Sequence, residues 1–203
     1  MNETNFKEER NMICKLIINA DDFGICKERN IGIVRSMEDG LVTSTSLMVN
    51  GGAVHHAIKL AREKGLLKNV GLHLNLTEGL PTASVREVST LLRKDMATST
   101  LTFIGKKSFR EACQTGKLFP QEIECEAEAQ LTLFTELTGQ YPLHVDGHHH
   151  CHLVPSVAKV LVSLFKKFHV KYTRLTDDKV DASLKKYRTC MGCFKACEDS
   201  FIA

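Results

Sequence analysis

The sequence predicts an α/β fold built on a parallel sheet, either an open doubly wound sheet or a (β/α) barrel. Three observations carry that reading. Short runs rich in Ile, Val and Leu alternate with segments of helical period. Glycines stand where several helical segments should stop, Gly40, Gly65 and Gly139 among them. The residues with chemistry to offer, Asp21-Asp22, His73 and the histidines after Asp146, lie near the exits of predicted strands, where such folds gather function.

The elements follow in order. Ile13 to Asn19 is a short Ile-rich run that reads as a buried strand ending at Asp21-Asp22. Glu28 to Glu38 places Ile31, Val34 and Met37 at helical spacing. Thr43 to Val49 returns to strand character, and Val54 to Lys64 repeats a helix through Ile58, Leu60 and Ala61. Val70 to Leu76 alternates as a third strand. The stretch from Thr77 to Lys107 breaks this rhythm with Pro81, several Ser and Thr, and Gly105; only Val85 to Leu92 suggests helix there. Phe119 to Leu137 is the strongest helix, with Glu122, Glu124, Glu126 and Glu128 suiting its positive N-terminal half. Leu143 to Asp146 reads as a strand, Pro155 starts a helix through Val160, Leu161, Leu164 and Phe165, and His169 to Arg174 is a further strand.

Composition narrows the function. A chain of 203 residues suits one domain, here residues 12–203 behind a polar extension at residues 1–11. It should bury roughly 70% of its unfolded surface and needs no metal or disulfide merely to fold. With 43% hydrophobic and 25% charged residues it reads as globular, and a net charge of +3 gives no argument for nucleic acid or an acidic membrane. No apolar run approaches the ~18 residues of a membrane span, and no secretory signal or transit peptide is evident, so a cytoplasmic location is expected. The eight cysteines then read as free thiols. Cys190, Cys193 and Cys197 lack a fourth ligand for a structural zinc and read as thiols on a helix.

Three pieces form the candidate site: Asp21-Asp22, His73 within Gly71-Leu72-His73-Leu74-Asn75, and the window from His144 to His152, which holds five of the nine histidines. Each has a bland reading. Paired aspartates often cap a turn, a lone strand histidine is often a hydrogen-bonded core residue, and a His-rich loop can be a solvated surface. Together they suit a divalent cation held by one Asp and two His, with positions left open for water and substrate. Two adjacent carboxylates permit a division of labour, one holding the metal and the other taking a proton. There is no Gly-x-Gly-x-x-Gly, no Walker-type Gly-Lys-Ser/Thr and no Gly-x-Ser-x-Gly. Cys151 lies beside histidines, but nothing orients a base towards it.

Four segments in order, Asn19 to Gly24, Val42 to Ser46 with Val49-Asn50-Gly51, Gly71-Leu72-His73, and His144 to His152, resemble the YdjC-like carbohydrate deacetylases, which include chitooligosaccharide deacetylases. The resemblance runs from about Lys15 to Leu175. It implies an irregular (β/α) barrel related to polysaccharide deacetylases and removal of acetyl groups from N-acetylated oligosaccharides. It implies one divalent metal ion, Mg2+ by family usage, with Zn2+ suited to the ligand types. By the same matching, Asp21 falls on the proton acceptor, Asp22 on the metal carboxylate, and His73 and His148 on the metal histidines. His149, His150 and His152 are left for supporting or substrate-facing roles. The family's later His-Pro segment has no counterpart, since no histidine follows His169. The barrel is therefore expected to be incomplete at its C-terminus. Two other readings remain open: a shortened homologue that binds metal or sugar without turnover, and a non-haem iron oxygenase with the same ligand types. A homo-oligomer is also left open.

Overall fold

The computed structural model describes residues 15–175, 188–190 and 195–196. The N-terminal extension, residues 1–11, and the side chains of Cys190, Cys193 and Cys197 lie outside the described residues.

A two-residue strand β1 (Lys15–Leu16) precedes β2 (Asn19–Phe23), α1 (Lys27–Glu38), β3 (Ser44–Leu47), α2 (Val54–Glu63) and β4 (Val70–Leu74). A hairpin, β5 (Leu92–Lys94) and β6 (Leu101–Phe103), and helix α3 (Lys106–Gln114) follow. Then come α4 (Pro120–Thr138), β7 (His144–Gly147), α5 (Pro155–Lys167), β8 (Tyr172–Leu175), β9 (Arg188–Cys190) and β10 (Lys195–Ala196). Six strands form one sheet in the order β2-β3-β4-β7-β8-β9, every neighbouring pair parallel. The order never reverses. Right-handed crossovers of that kind put successive helices on one face, the winding of a (β/α) barrel rather than a doubly wound sheet. Among the described residues no pairing joins β9 back to β2, so the sheet is an arc.

Strand alternation divides the sheet into two unlike faces. Leu47, Leu72, Leu74 and Val145 are buried in one apolar core with Ala57 and Ile58 of α2, Ile123, Leu131 and Phe134 of α4, and Leu161 and Phe165 of α5. The alternate positions, Asn19, Asp21, Ser46, His73, Asp146 and Arg174, share the other face and hydrogen-bond to one another across the strands. The inner face of this arc is therefore polar. Gly71 belongs to that face for steric reasons, since a Cβ there would lie 2.3 Å from the imidazole of His144.

The helices fall close to their predicted spans. Gly139 ends α4 with a left-handed φ of 79°, its N–H donating to the Thr135 carbonyl at 2.8 Å. Three expectations need correction. The second strand runs through Asp21-Asp22 to Phe23 instead of ending before them. Val85 to Leu92 forms no α-helix: a single 3-10 turn at Ser89–Leu91 leads into the hairpin, and the helix of this region is α3, further on. Cys190 closes strand β9 rather than sitting on a helix.

The irregular stretch before α3 is fastened to α4 by glutamates. Glu126 is fully buried and accepts hydrogen bonds from the N–H groups of Thr82 and Ala83 at 2.9 Å each, while Glu122 accepts from Thr90 N at 2.7 Å. Burial pushes the Glu126 carboxyl above its ordinary value, against the pull of these hydrogen bonds and that of Gln130. Among the described residues no helix is long and apolar enough to cross a membrane, and Cys26, Cys113, Cys125 and Cys151 are free.

Candidate metal centre

Consecutive residues of a regular strand point to opposite faces, so adjacent aspartates should not share a site. Here the register of β2 against β3 breaks between Ala20 and Phe23, and Asp22 adopts a φ of 67°. The irregularity turns Asp22 inward beside Asp21, as a β-bulge re-aims a side chain. Asp22 Oδ1 lies 3.2 Å from His73 Nε2 and 2.9 Å from His148 Nδ1, and its other oxygen accepts from Arg29 of α1 at 2.5 Å. Hydrogen bonds from His148 and His73 hold the Asp22 carboxyl well below the usual carboxylate range, despite partial burial.

His73 comes from β4, with only 2% of its surface exposed. Its Nδ1 meets Asp146 Oδ1 at 2.7 Å, which leaves Nε2 facing Asp22. Burial opposes a charge on this ring, but the Asp146 charge and the hydrogen bonds to Asp146 and Asp22 outweigh it and raise His73 to about 9. Asp146, fully buried in β7, accepts further from Ser46 Oγ at 3.1 Å, Asn19 Nδ2 at 3.3 Å and Arg174 at 2.8 Å. Burial works to raise its carboxyl, and the neighbouring His73 and Arg174 keep it below the ordinary value.

Asp21 has a different neighbourhood. Arg174, on β8, grips both of its oxygens, and Asn19 Nδ2 donates to Oδ1 at 2.8 Å. This fork-to-fork geometry fixes the carboxylate plane.

His148 opens a 3-10 turn, His148–Leu153, that leaves the end of β7. His149 and His150 take φ values of 54° and 57°, a region L-residues enter at some cost. The turn is held by His152, whose Nε2 donates to the Arg174 carbonyl at 2.9 Å. Gly147 makes room for it, as a Cβ there would lie 2.4 Å from His152 Nδ1.

The structure brings Asp21, Asp22, His73 and His148 into one cleft of about 310 Å³, lined also by Lys106, His149 and His150. Asp22, His73 and His148 each offer a ligand atom, and the three atoms lie within 4.8 Å of one another. Two donors about 2.1 Å from a common ion stand about 3.0 Å apart at right angles and about 3.4 Å apart at tetrahedral angles. The observed spacings of 2.9 and 3.2 Å are of that size, and two imidazoles with a carboxylate suit a divalent cation. Glu78, His148 and His149, and Asp21, His73 and Asp146, form two further groups within the same distance. His150 is in none of the three groups. His152 is not a substrate-facing group: burial lowers its imidazole to about 4, and it is tied to the backbone of β8. Cys151 is buried, donates to the Leu74 carbonyl and has its thiol pushed up to about 12 by burial, so it lacks the thiolate a nucleophile needs.

Arg174 and Glu78 have no functional reading in the sequence, and Asn19, Ser46 and Asp146 only membership of a segment. Strand parity was the available signal. Asn19 stands two residues before Asp21 and Asp146 lies beside His73 in register, whereas Ser46 pairs with Gly71, two residues before His73, and Arg174 stands two residues after Tyr172, the partner of His144.

A family model described as YdjC-like protein matches residues 15–201 of the chain. A carbohydrate deacetylase of Danio rerio is 42% identical over 161 residues, covering 79% of this chain and 49% of its own. A carbohydrate deacetylase of Homo sapiens is 42% identical over 162 residues, covering 79% and 48%. A chitooligosaccharide deacetylase of Escherichia fergusonii is 40% identical over 148 residues, covering 73% and 54%. The chain thus spans about half the length of these curated relatives. Among solved structures, a candidate cellobiose-phosphate cleavage protein of Enterococcus faecalis superposes with a TM-score of 0.68 at 29% identity, covering 85% of this chain and 62% of its own.

Proposed function

The chain belongs to the YdjC-like protein family, and on that premise we propose that it is a metal-dependent carbohydrate N-deacetylase, hydrolysing the acetamide of an N-acetylated oligosaccharide. The observation that carries the reading is the convergence of Asp22, His73 and His148 beside an Asp21 that Arg174 fixes in place. Relatives at about this similarity are named carbohydrate and chitooligosaccharide deacetylases, which supplies the substrate class.

Asp22, His73 and His148 would hold the ion, Mg2+ by family usage or Zn2+ by ligand type. When bound, the ion supplies a Lewis acid that polarises the amide carbonyl and lowers the pKa of water. The chain's own residues do the rest. Asp21 accepts the proton of the attacking water, and its oxygens are pre-aimed by Arg174 and Asn19. Asp146 fixes the tautomer of His73, so that Nε2 is the nitrogen turned to the cleft. His149, His150 and Lys106 border the space the sugar would occupy.

One observation favours a second reading, a chain that binds cation or sugar without turnover. The departing amine needs a proton, and burial disfavours the charged, proton-carrying form of both His149 and His150, lowering each below the ordinary imidazole value. Cation analysis of the purified chain, with acetate release and oxygen consumption measured on a panel of N-acetylated sugars, separates the readings. Acetate release that requires the cation supports the deacetylase. Binding without release supports the second reading, and oxygen consumption would turn the assignment to an oxygenase.

A further inference from the structure

We propose that Glu78 is a positioning residue for His148: it holds the proton of that ring on Nε2 and thereby makes Nδ1 the nitrogen that meets the cation. The inference rests on the metal-site reading above. His148 Nε2 stands 3.1 Å from Glu78 Oε2, while Nδ1 of the same ring faces Asp22 at 2.9 Å. Without a cation both nitrogens of His148 face carboxylate oxygens; a cation that took Nδ1 would leave a neutral ring its single proton on Nε2, where Glu78 is the acceptor. His73 shows the mirror arrangement, with Asp146 at its Nδ1 and Nε2 turned to Asp22. Each candidate histidine ligand therefore has a carboxylate behind it, and the two rings present opposite nitrogens.

The placement of Glu78 is built, although its side chain is 58% exposed. Its N–H donates to Asn75 Oδ1 at 3.1 Å, and its carbonyl accepts from Asn75 Nδ2 at 2.7 Å. Asn75 is buried, and its own backbone is bound on both sides by the Gln130 amide of α4, at 3.0 and 2.6 Å. A core-anchored turn thus carries an otherwise solvent-facing carboxylate to the site. The remaining Glu78 oxygen lies 3.8 Å from His149 Nε2, and His149 is steadied through Nδ1 by Thr77 Oγ1 at 3.0 Å. Glu78 stands at the start of the stretch that lacked regular periodicity, so its role comes from a turn and not from an element.

The test uses the 203-residue chain, zinc as the diamagnetic probe, and the variants Glu78→Ala and Glu78→Gln. Nitrogen-15 NMR of the zinc-loaded wild type should place the His148 proton on Nε2 and the His73 proton on Nδ1. Equilibrium titration should show one zinc per chain, bound about 10- to 100-fold more weakly in Glu78→Ala. Glu78→Gln, whose amide oxygen still accepts, should recover part of that loss. The metal-free variants should melt with the wild type, since an exposed side chain carries little of the stability. A His148 proton on Nδ1, or unchanged zinc affinity in Glu78→Ala, would overturn the proposal while leaving the metal site standing. Two zinc ions per wild-type chain, one of them lost in Glu78→Ala, would make Glu78 a ligand and overturn it as well. A wild type that binds no zinc overturns the metal-site reading, and this inference with it.

Discussion

Asp21 and Asp22 are neighbours in the chain with opposite surroundings: two imidazoles face Asp22, and a guanidinium grips Asp21. The division of labour proposed for them rests on those partners. Asp21→Asn is expected to leave cation binding within a few-fold of wild type and to cut acetate release by about 10²- to 10⁴-fold, the usual worth of a general base. Asp22→Asn should instead empty the site, because an amide is a weak ligand. Cation titration and acetate release on both variants check this; loss of the cation in Asp21→Asn would reverse the two roles. The side chains that bring their own chemistry were legible in the sequence, since an Asp pair and a run of His announce themselves. Their partners were not. Arg174 meets Asp21 across 153 residues, and Asp146 meets His73 across 73, pairings that exist only once the strands are in register.

At the scale of elements, periodicity recovered the helices that carry several apolar residues and missed the short one that carries few. Helices α2, α4 and α5 each bury an apolar stripe and are readable from it, whereas α1 buries Ile33 and Val34 and leaves Ile31, expected on its inner stripe, exposed. Helix α3 buries only Phe109 and gave no such stripe. Strand β2 was displaced because its inner face is polar, so Asp21-Asp22 looked like a turn while the apolar residues before it looked like the strand. The glutamates of α4 were read as partners of the helix N-terminus, yet Glu122 and Glu126 also satisfy the backbone of a distant segment. Glu126→Ala would leave the N–H groups of Thr82 and Ala83 without their acceptor. It is expected to destabilise the fold by about 1–3 kcal/mol and to raise proteolytic cleavage between Glu78 and Thr90. Urea unfolding and limited proteolysis measure the two effects, and an unchanged cleavage pattern would refute the anchoring role. The His148–Leu153 turn makes a pH prediction. Burial lowers His152 to about 4, against an ordinary 6.5, so on acidification the unfolded chain binds the proton first. The stabilisation is intact above about pH 6.5 and is lost as pH falls towards 4, a change of about 3 kcal/mol for this group. Unfolding free energies at pH 7.5 and 4.5 should differ less in His152→Gln than in wild type.

For the whole molecule, the polar inner face makes the site and the arc one object. Asn19 and Asp21 on β2, Ser46 on β3, His73 on β4, Asp146 on β7 and Arg174 on β8 form one connected network of hydrogen bonds. Five strands are joined on the inside by charge and on the outside by apolar packing. Removing one member of such a network leaves buried charge unpaired, so Arg174→Ala is expected to cost about 3–5 kcal/mol and to weaken cation binding through Asp146 and His73. A cation bound by Asp22, His73 and His148 would join β2, β4 and the turn after β7, and would bind the folded chain alone. At a concentration 100 times its dissociation constant it adds about 2.7 kcal/mol. For a chain of this size that corresponds to a rise of roughly 5–10 °C in melting temperature. Differential scanning fluorimetry with and without a chelator measures the rise. Asp22→Asn should abolish it, whereas Asp21→Asn should keep it. Equal rises in wild type and Asp22→Asn would mean that the ion sits elsewhere, and that the convergence of these three side chains serves the fold rather than a metal.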